Sequence, residues 1–190
     1  MLDYIIQLDH SLFLFLNGLH CAFLDPLMVF ITGDFVWVPL YVVIAFFFFL
    51  KRNWQWGLLA VAAVLITFAL TDQSSVHLFK NTVQRLRPCH EPAFYGIIHS
   101  LEHCGGQFSF ISSHATNTFG FATITSFLFC KKWYSWVIFS WAIVVSYSRI
   151  YVGKHYPLDI ICGALFGFLI GYCVWKLFQW ITRKITVNCK

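Results

Sequence analysis

Five apolar runs, Pro26 to Leu50, Trp54 to Asp72, Ser112 to Cys130, Trp133 to Tyr151 and Pro157 to Ile181, constrain this chain more than any other feature. Each is about as long as a helix must be to cross a bilayer, and together they leave too little polar chain to wrap a soluble core. No period-2 alternation recurs, so helices are the spanning element and a barrel of strands is excluded. Composition agrees. Of the 190 residues, 59% are hydrophobic and 11% charged, against about 25% charged in a soluble domain. The expected fold is all-α: a polytopic membrane helix bundle of about five transmembrane helices plus an N-terminal interfacial helix.

That interfacial helix is expected over residues 1–24, where Asp3, Gln7, Asp9, His10, Asn17 and His20 interrupt an apolar stretch too short and too polar to span. The stretch lacks the basic start and small-residue cleavage site of a signal peptide, so it is expected in the mature protein, with anchoring as its role. Residues 25–190 then form a single membrane-embedded domain. Asp34 and Pro39 predict a late start or a kink in the first span. The second span is expected to continue as a more polar helix through Lys80 and to stop at Arg87, because Pro88 disfavours helical geometry there.

Three runs end in Lys51-Arg52, Lys131-Lys132 and Arg183-Lys184. Alternating spans put all three pairs on one side, which the positive-inside rule makes cytoplasmic. The long polar loop from Pro88 to Phe110 and the Arg149 to Asp159 connection therefore share the external face. The formal charge of +5 lies in these short clusters, a pattern of topology plus an anion site and not of nucleic-acid binding. The seven cysteines follow no metal-binding spacing: Cys21, Cys130, Cys162 and Cys173 lie in or beside apolar segments. Cys89 and Cys104 share the polar loop and could form a disulfide in an oxidising compartment. His90, His99 and His103 in that loop are expected to be solvent-exposed.

Three clusters gather at the external face. Lys80 and Arg87 stand seven residues apart, close to two helical turns, and as cations on one face suit a phosphate. Ser112-Ser113-His114 opens the third span, where free backbone N–H groups and the helix dipole favour an anion beside a hydroxyl and an imidazole. Arg149, His155 and Asp159 combine a fork of donors, a nucleophilic ring and a carboxylate able to fix that ring. Each alone also fits a plain role: headgroup snorkelling, a helix cap, or a carboxylate at the positive helix end. Their convergence on one face is what points to chemistry.

Lys80-x6-Arg87-Pro88, Ser112-Ser113-His114 and Ser148-Arg149-x5-His155-x3-Asp159, in this order, resemble the three signature motifs of the type 2 phosphatidic acid phosphatases. The resemblance implies that His155 is a nucleophile forming a phosphohistidine, oriented by Asp159, and that His114 is the general acid and then the base. It implies that Lys80, Arg87, Arg149, Ser112 and the N–H of Ser113 bind the phosphoryl oxygens, with no metal and no cofactor. The family's middle motif usually reads Pro-Ser-Gly-His, whereas Ile111 and Ser113 stand at the proline and glycine positions here. Ser113 would carry strain if a glycine-like conformation were required there.

The expected activity is therefore hydrolysis of a lipid phosphomonoester or terminal pyrophosphate at the external face of a bacterial inner membrane. Undecaprenyl diphosphate is the favoured substrate, with lipid A 1-phosphate, phosphatidylglycerol phosphate and phosphatidic acid as alternatives. The expected partners are the lipid and the membrane, with no obligatory protein partner and no nucleic acid. A vanadium haloperoxidase and a non-catalytic lipid-binding or transport protein are the remaining readings.

Overall fold

The computed structural model describes residues 2–188, with side chains from 3 to 183. The side chain of Lys184, in the last basic pair, and the final residues of the expected 25–190 domain lie outside the described residues. Eight helices follow in order: α1 Leu2–Gly18, α2 Asp25–Ile31, α3 Val38–Lys51, α4 Trp54–Ser74, α5 Asn81–Val83, α6 Ser113–Phe129, α7 Lys132–Tyr151 and α8 Pro157–Asn188. Among the described residues the only β pairing is an isolated antiparallel bridge between Leu86 and Phe108, so the fold is all-α.

The bundle is built around α6, which packs against α8, α7 and α4. Its central position follows from small residues. Thr116, Thr118, Thr123 and Thr125 each donate a hydroxyl hydrogen bond back to the carbonyl four residues earlier, which satisfies them without a partner helix. Gly163, Gly167 and Gly171 of α8 recur at one-turn spacing along the facing surface. A Cβ on Gly167 would collide with the Thr116 carbonyl oxygen, and one on Gly171 would stand 2.7 Å from that of Gly120. In lipid, where apolar side chains gain little by leaving their surroundings, such backbone proximity is what drives helix association.

The segments Trp54–Val83 and Pro157–Arg183 are long and apolar enough to cross a membrane, and Val38–Lys51 is a shorter apolar helix. Two of the five expected spans meet that standard outright, while the helices at the other three are shorter or less apolar. The basic ends do gather: Lys51 Nζ donates to the Phe129 carbonyl at 2.7 Å, and Trp56 packs edge-on to Phe178 of α8. The starts of α6 and α8 and the end of α4 consequently lie at the opposite end, where the three motifs are.

Two helix boundaries differ from expectation. The run from Pro26 to Leu50 is two helices, α2 and α3, separated at residues 32–37; Pro39 occupies the first turn of α3 and starts it, as a residue without an N–H can. Trp37 holds the break by donating its indole N–H to the Ile31 carbonyl at 2.9 Å. The second span does not continue as helix to Arg87. It widens into a π-turn over Ser75–Lys80 and ends at Val83, because Gln84 is left-handed with φ 51°. Lys80 and Arg87 therefore do not share a helix face; Arg87 returns to Lys80 on extended chain.

Helix α1 docks by one stripe, Asp9, Phe13 and Asn17, buried at one-turn intervals. Asn17 Nδ2 donates to the carbonyls of Tyr151 and His99 at 2.8 and 3.0 Å. The opposite face, with Tyr4, Leu8, Leu12 and Phe15, is exposed. The helix is thus apolar outward and carries its key polar groups inward, so it does more than anchor.

Candidate active site

The motif end of the bundle holds a cavity of about 700 Å³ lined by Lys80, Arg87, Ser113, His114, Arg149 and His155, with Asp34, Glu102, His103 and Lys154 also on its wall. Lys154 is paired with Glu102 at 2.6 Å, whereas the other three cations, Lys80, Arg87 and Arg149, are fixed by neutral groups. Lys80 Nζ donates to Ser113 Oγ at 2.7 Å. Arg87 donates from Nη1 to the Cys104 carbonyl at 2.7 Å and from Nε to the Phe108 carbonyl at 3.2 Å. Arg149, 6% exposed, is held by the Thr32 carbonyl at 3.3 Å and by the Thr32 hydroxyl. Because no carboxylate neutralises Lys80, Arg87 or Arg149 directly, their charge is left for an anion in the cavity.

His155 sits at the wall of this cavity and is otherwise buried, at 1% exposure. The loop that carries it closes on Arg149: the N–H groups of Lys154 and His155 both donate to the Arg149 carbonyl, at 3.0 and 3.3 Å. Gly153, at φ +77°, makes that reversal, and a Cβ there would also meet the His99 carbonyl at 3.1 Å. His155 Nδ1 lies 3.4 Å from Asp159 Oδ2, so the ring nitrogen not aimed at the carboxylate is Nε2. Burial first, then the charges of Arg149, Arg87 and Lys80, push the imidazole well below its ordinary pKa. The ring is neutral at physiological pH, with a lone pair available.

Ser112 and His114 frame the start of α6. Ser112 is fully buried and its Oγ accepts from the Ala115 N–H at 3.4 Å, so it caps the helix and does not line the cavity. Ser113 lines the cavity instead; it begins the helix in ordinary right-handed geometry, without the positive φ that would favour glycine. Its hydroxyl, absent from the family's usual glycine, also meets Ser75 Oγ at 2.7 Å. His114 pairs through Nε2 with Asp34 Oδ1 at 3.0 Å. This hydrogen bond holds the Asp34 carboxyl below its usual range, so Asp34 is an anion at neutral pH.

Asp34 and Thr32 were not legible as site residues. They lie within the run taken for one span, and only the break between α2 and α3 delivers them to the cavity. Arg85, unremarked between Lys80 and Arg87, proves to be ion-paired with Asp159 at 3.1 Å and with Asp9 at 2.7 Å. Of the loop histidines, His103 is exposed and lines the cavity. His99 is not solvent-exposed as expected: its Nε2–H donates to Asp25 Oδ1 at 2.9 Å and its ring stacks on His20 with centroids 3.8 Å apart. Among the described residues no cluster of His, Cys, Asp and Glu is arranged for a metal ion.

Cys89 and Cys104 are joined, with Cα atoms 6.0 Å apart and a sequence separation of 15. The cross-link closes the loop whose Cys104 carbonyl holds Arg87, so it fixes one of the cavity cations. Removing it in the Cys89→Ser/Cys104→Ser variant should cost about 3 kcal/mol of stability by the loop-entropy estimate. The melting temperature in detergent should fall and KM should rise. An unchanged KM would separate the loop from phosphate binding.

Comparison with known proteins agrees with this geometry. The family model described as the PAP2 superfamily matches residues 56–183. The lipid A 4'-phosphatase of Porphyromonas gingivalis is 37% identical over 190 residues, covering 99% of this chain and 80% of that protein. The undecaprenyl-diphosphatase of Sulfolobus acidocaldarius is 33% identical over 171 residues, covering 88% of this chain and 77% of that protein. In fold, the chain resembles the crystal structure of a transmembrane PAP2-type phosphatidylglycerolphosphate phosphatase from Bacillus subtilis, with TM-score 0.73 and 23% identity over 96% of this chain and 88% of that one. A family match across most of the chain, an all-α membrane bundle and a cationic cavity holding all three motifs lead to one conclusion: the chain belongs to the PAP2 superfamily, in its membrane lipid-phosphatase branch.

Proposed function

We propose that this protein removes a phosphate monoester from the sugar headgroup of a lipid A-type glycolipid, through a phosphohistidine at His155. The observation that carries the chemistry is the convergence of His155, His114, Lys80, Arg87, Arg149 and Ser113 on one cavity. In this scheme the His155 Nε2 lone pair attacks phosphorus and the bond to the lipid oxygen breaks. His114 gives that oxygen its proton, and Asp159 keeps the His155 ring oriented. The three cations and the α6 N-terminus stabilise the equatorial oxygens as charge spreads over them. Water then gives its proton to the now neutral His114 and attacks phosphorus, releasing phosphate and free His155. Ser113 takes the phosphate-facing place expected of Ser112, which supports the site from behind by capping α6. No step calls for a metal.

The glycolipid is favoured over undecaprenyl diphosphate for two reasons. Similarity to the lipid A 4'-phosphatase of Porphyromonas gingivalis extends over nearly the whole chain and is the higher of the two identities. The cavity is also in the size range of small-molecule sites, about 300–1,000 Å³, and Asp34, Glu102 and His103 add polar groups suited to sugar hydroxyls. The basic ends of the bundle lie opposite the cavity, which supports an external, periplasmic mouth in a bacterial inner membrane.

The test is phosphate release by purified protein in detergent from lipid A phosphorylated only at the 4' position, lipid A phosphorylated only at the 1 position, undecaprenyl diphosphate and phosphatidylglycerol phosphate. Release should be fastest from the 4'-phosphorylated lipid and should persist in EDTA. Preference for undecaprenyl diphosphate would overturn the substrate, and loss in EDTA restored by a divalent ion would overturn the metal-free scheme.

A further inference from the structure

A buried chain of charges runs from α1 to His155 and has no place in the phosphate-binding set. Arg85 donates from Nη1 to Asp159 Oδ1 at 3.1 Å and pairs through Nη2 with Asp9 Oδ2 at 2.7 Å. The other oxygen of each carboxylate holds the start of α8: Asp9 Oδ1 accepts from the Leu158 N–H at 2.8 Å, and Asp159 Oδ2 from the Tyr156 N–H at 3.0 Å. Asp9 and Asp159 are almost wholly buried, at 5% and 0% side-chain exposure, and the Arg85 side chain is 18% exposed. The guanidinium also lies over the Tyr156 ring, 3.7 Å from its centroid, a cation–π contact that fixes its plane. The Asp159 carboxylate is thus set mainly by Arg85 and by the Tyr156 N–H, with the Ser109 hydroxyl beside it.

We propose that Arg85 and Asp9 are positioning residues for catalysis: they hold Asp159, and through it the His155 ring, so that helix α1 is part of the working site. The proposal rests on the reading of His155 as the nucleophile. Two carboxylates this close, both removed from water, require a cation between them. Among the described residues Arg85 is the one basic side chain paired to both, and its fork spans them where a lysine's single ammonium would not. Arg85 does not line the phosphate cavity, so its loss should affect how the ring is aimed and not how the anion binds. A displacement of about 1 Å in a reacting group costs on the order of 100-fold in rate.

The experiment compares wild type, Arg85→Gln, Arg85→Lys, Asp9→Asn and His155→Ala on whichever panel lipid wild type hydrolyses fastest. It measures kcat, KM, inhibition by orthovanadate and melting temperature. Arg85→Gln should lower kcat about 100-fold and Asp9→Asn about 10-fold, with KM and the orthovanadate inhibition constant within about twofold of wild type. Arg85→Lys should recover part of kcat by restoring the charge. If Arg85→Gln and Asp9→Asn keep wild-type kcat while His155→Ala is inactive, the positioning role is wrong. It is equally wrong if kcat, KM and orthovanadate affinity worsen together with a fall in melting temperature, which is the pattern of a merely structural pair. Full activity in His155→Ala would instead overturn the underlying reading of the nucleophile.

Discussion

Alanine at His155 should abolish phosphate release from every substrate, by at least about four orders of magnitude, whereas alanine at His114 should be selective. The difference follows from the two proposed roles. In that scheme His155 forms the bond to phosphorus, and the Ser113 and Thr32 hydroxyls on the same wall are already engaged, with Lys80 and Ser75 and with Arg149. His114 supplies a proton to the departing oxygen, worth about 10²- to 10⁴-fold when that oxygen is a sugar alkoxide. For p-nitrophenyl phosphate the leaving group is stable without protonation, so His114→Ala should lose far less in the first step. The check is kcat/KM for both variants on the lipid and on p-nitrophenyl phosphate, with orthovanadate inhibition of His114→Ala reporting an intact site. Equal losses on both substrates would show that proton donation is not what His114 contributes.

The second large effect is expected far from any charge. Gly167→Ala places a methyl group against the Thr116 carbonyl oxygen, a clash that no rotamer can relieve because neither the Cβ nor the carbonyl can turn away. Helices α6 and α8 must separate, at a cost of about 1–3 kcal/mol or more for overpacking. The site should suffer with the fold. The N–H of Ser112 donates to the Asp159 carbonyl at 3.2 Å across this seam, and Gly163 faces the Ser112 carbonyl just beside it. Gly167→Ala should therefore show a lower melting temperature and reduced activity even in the fraction that remains folded, measured on monodisperse protein. Leu177→Ala, on an exposed face of α8, should leave both nearly unchanged. Parity between the two variants would show that close packing at Gly167 is dispensable.

What the sequence disclosed and what it hid divide along a physical line. The residues that meet in the cavity were visible because apolar runs fix which ends of which helices lie together, and each motif is compact. Arg149 and His155, six residues apart, can meet through one glycine turn, and spacing alone shows it. The residues that hold them in place were not visible, because they come from elsewhere in the chain. Thr32 and Asp34 reach Arg149 and His114 only because the run expected as one span, kinked or late to start, breaks outright after Ile31. Asp9 reads as a polar interruption in an interfacial helix, and nothing local says that it faces Arg85. The glycines of α8 stand at one-turn spacing, but nothing in the sequence marks them as a packing seam or names their partner helix. The termination of α5 at Gln84 depends on a left-handed residue with no Gly or Asn to announce it.

The docking of α1 also bears on how the protein is made. Asp9 and Asn17 lie in α1, yet their partners are Leu158, Tyr151 and Arg85, which leave the ribosome much later. Such contacts between distant parts of a chain form late in folding, since the intervening loop must first be closed. During synthesis α1 has to wait at the membrane with its carboxylate and amide unmatched, until the loop before α8 arrives to receive them. A chain halted after α7 would carry the first two motifs and Arg149 but neither His155 nor the carboxylate beside it. The proposed nucleophile and its carboxylate thus join the site only once α8 has begun to emerge.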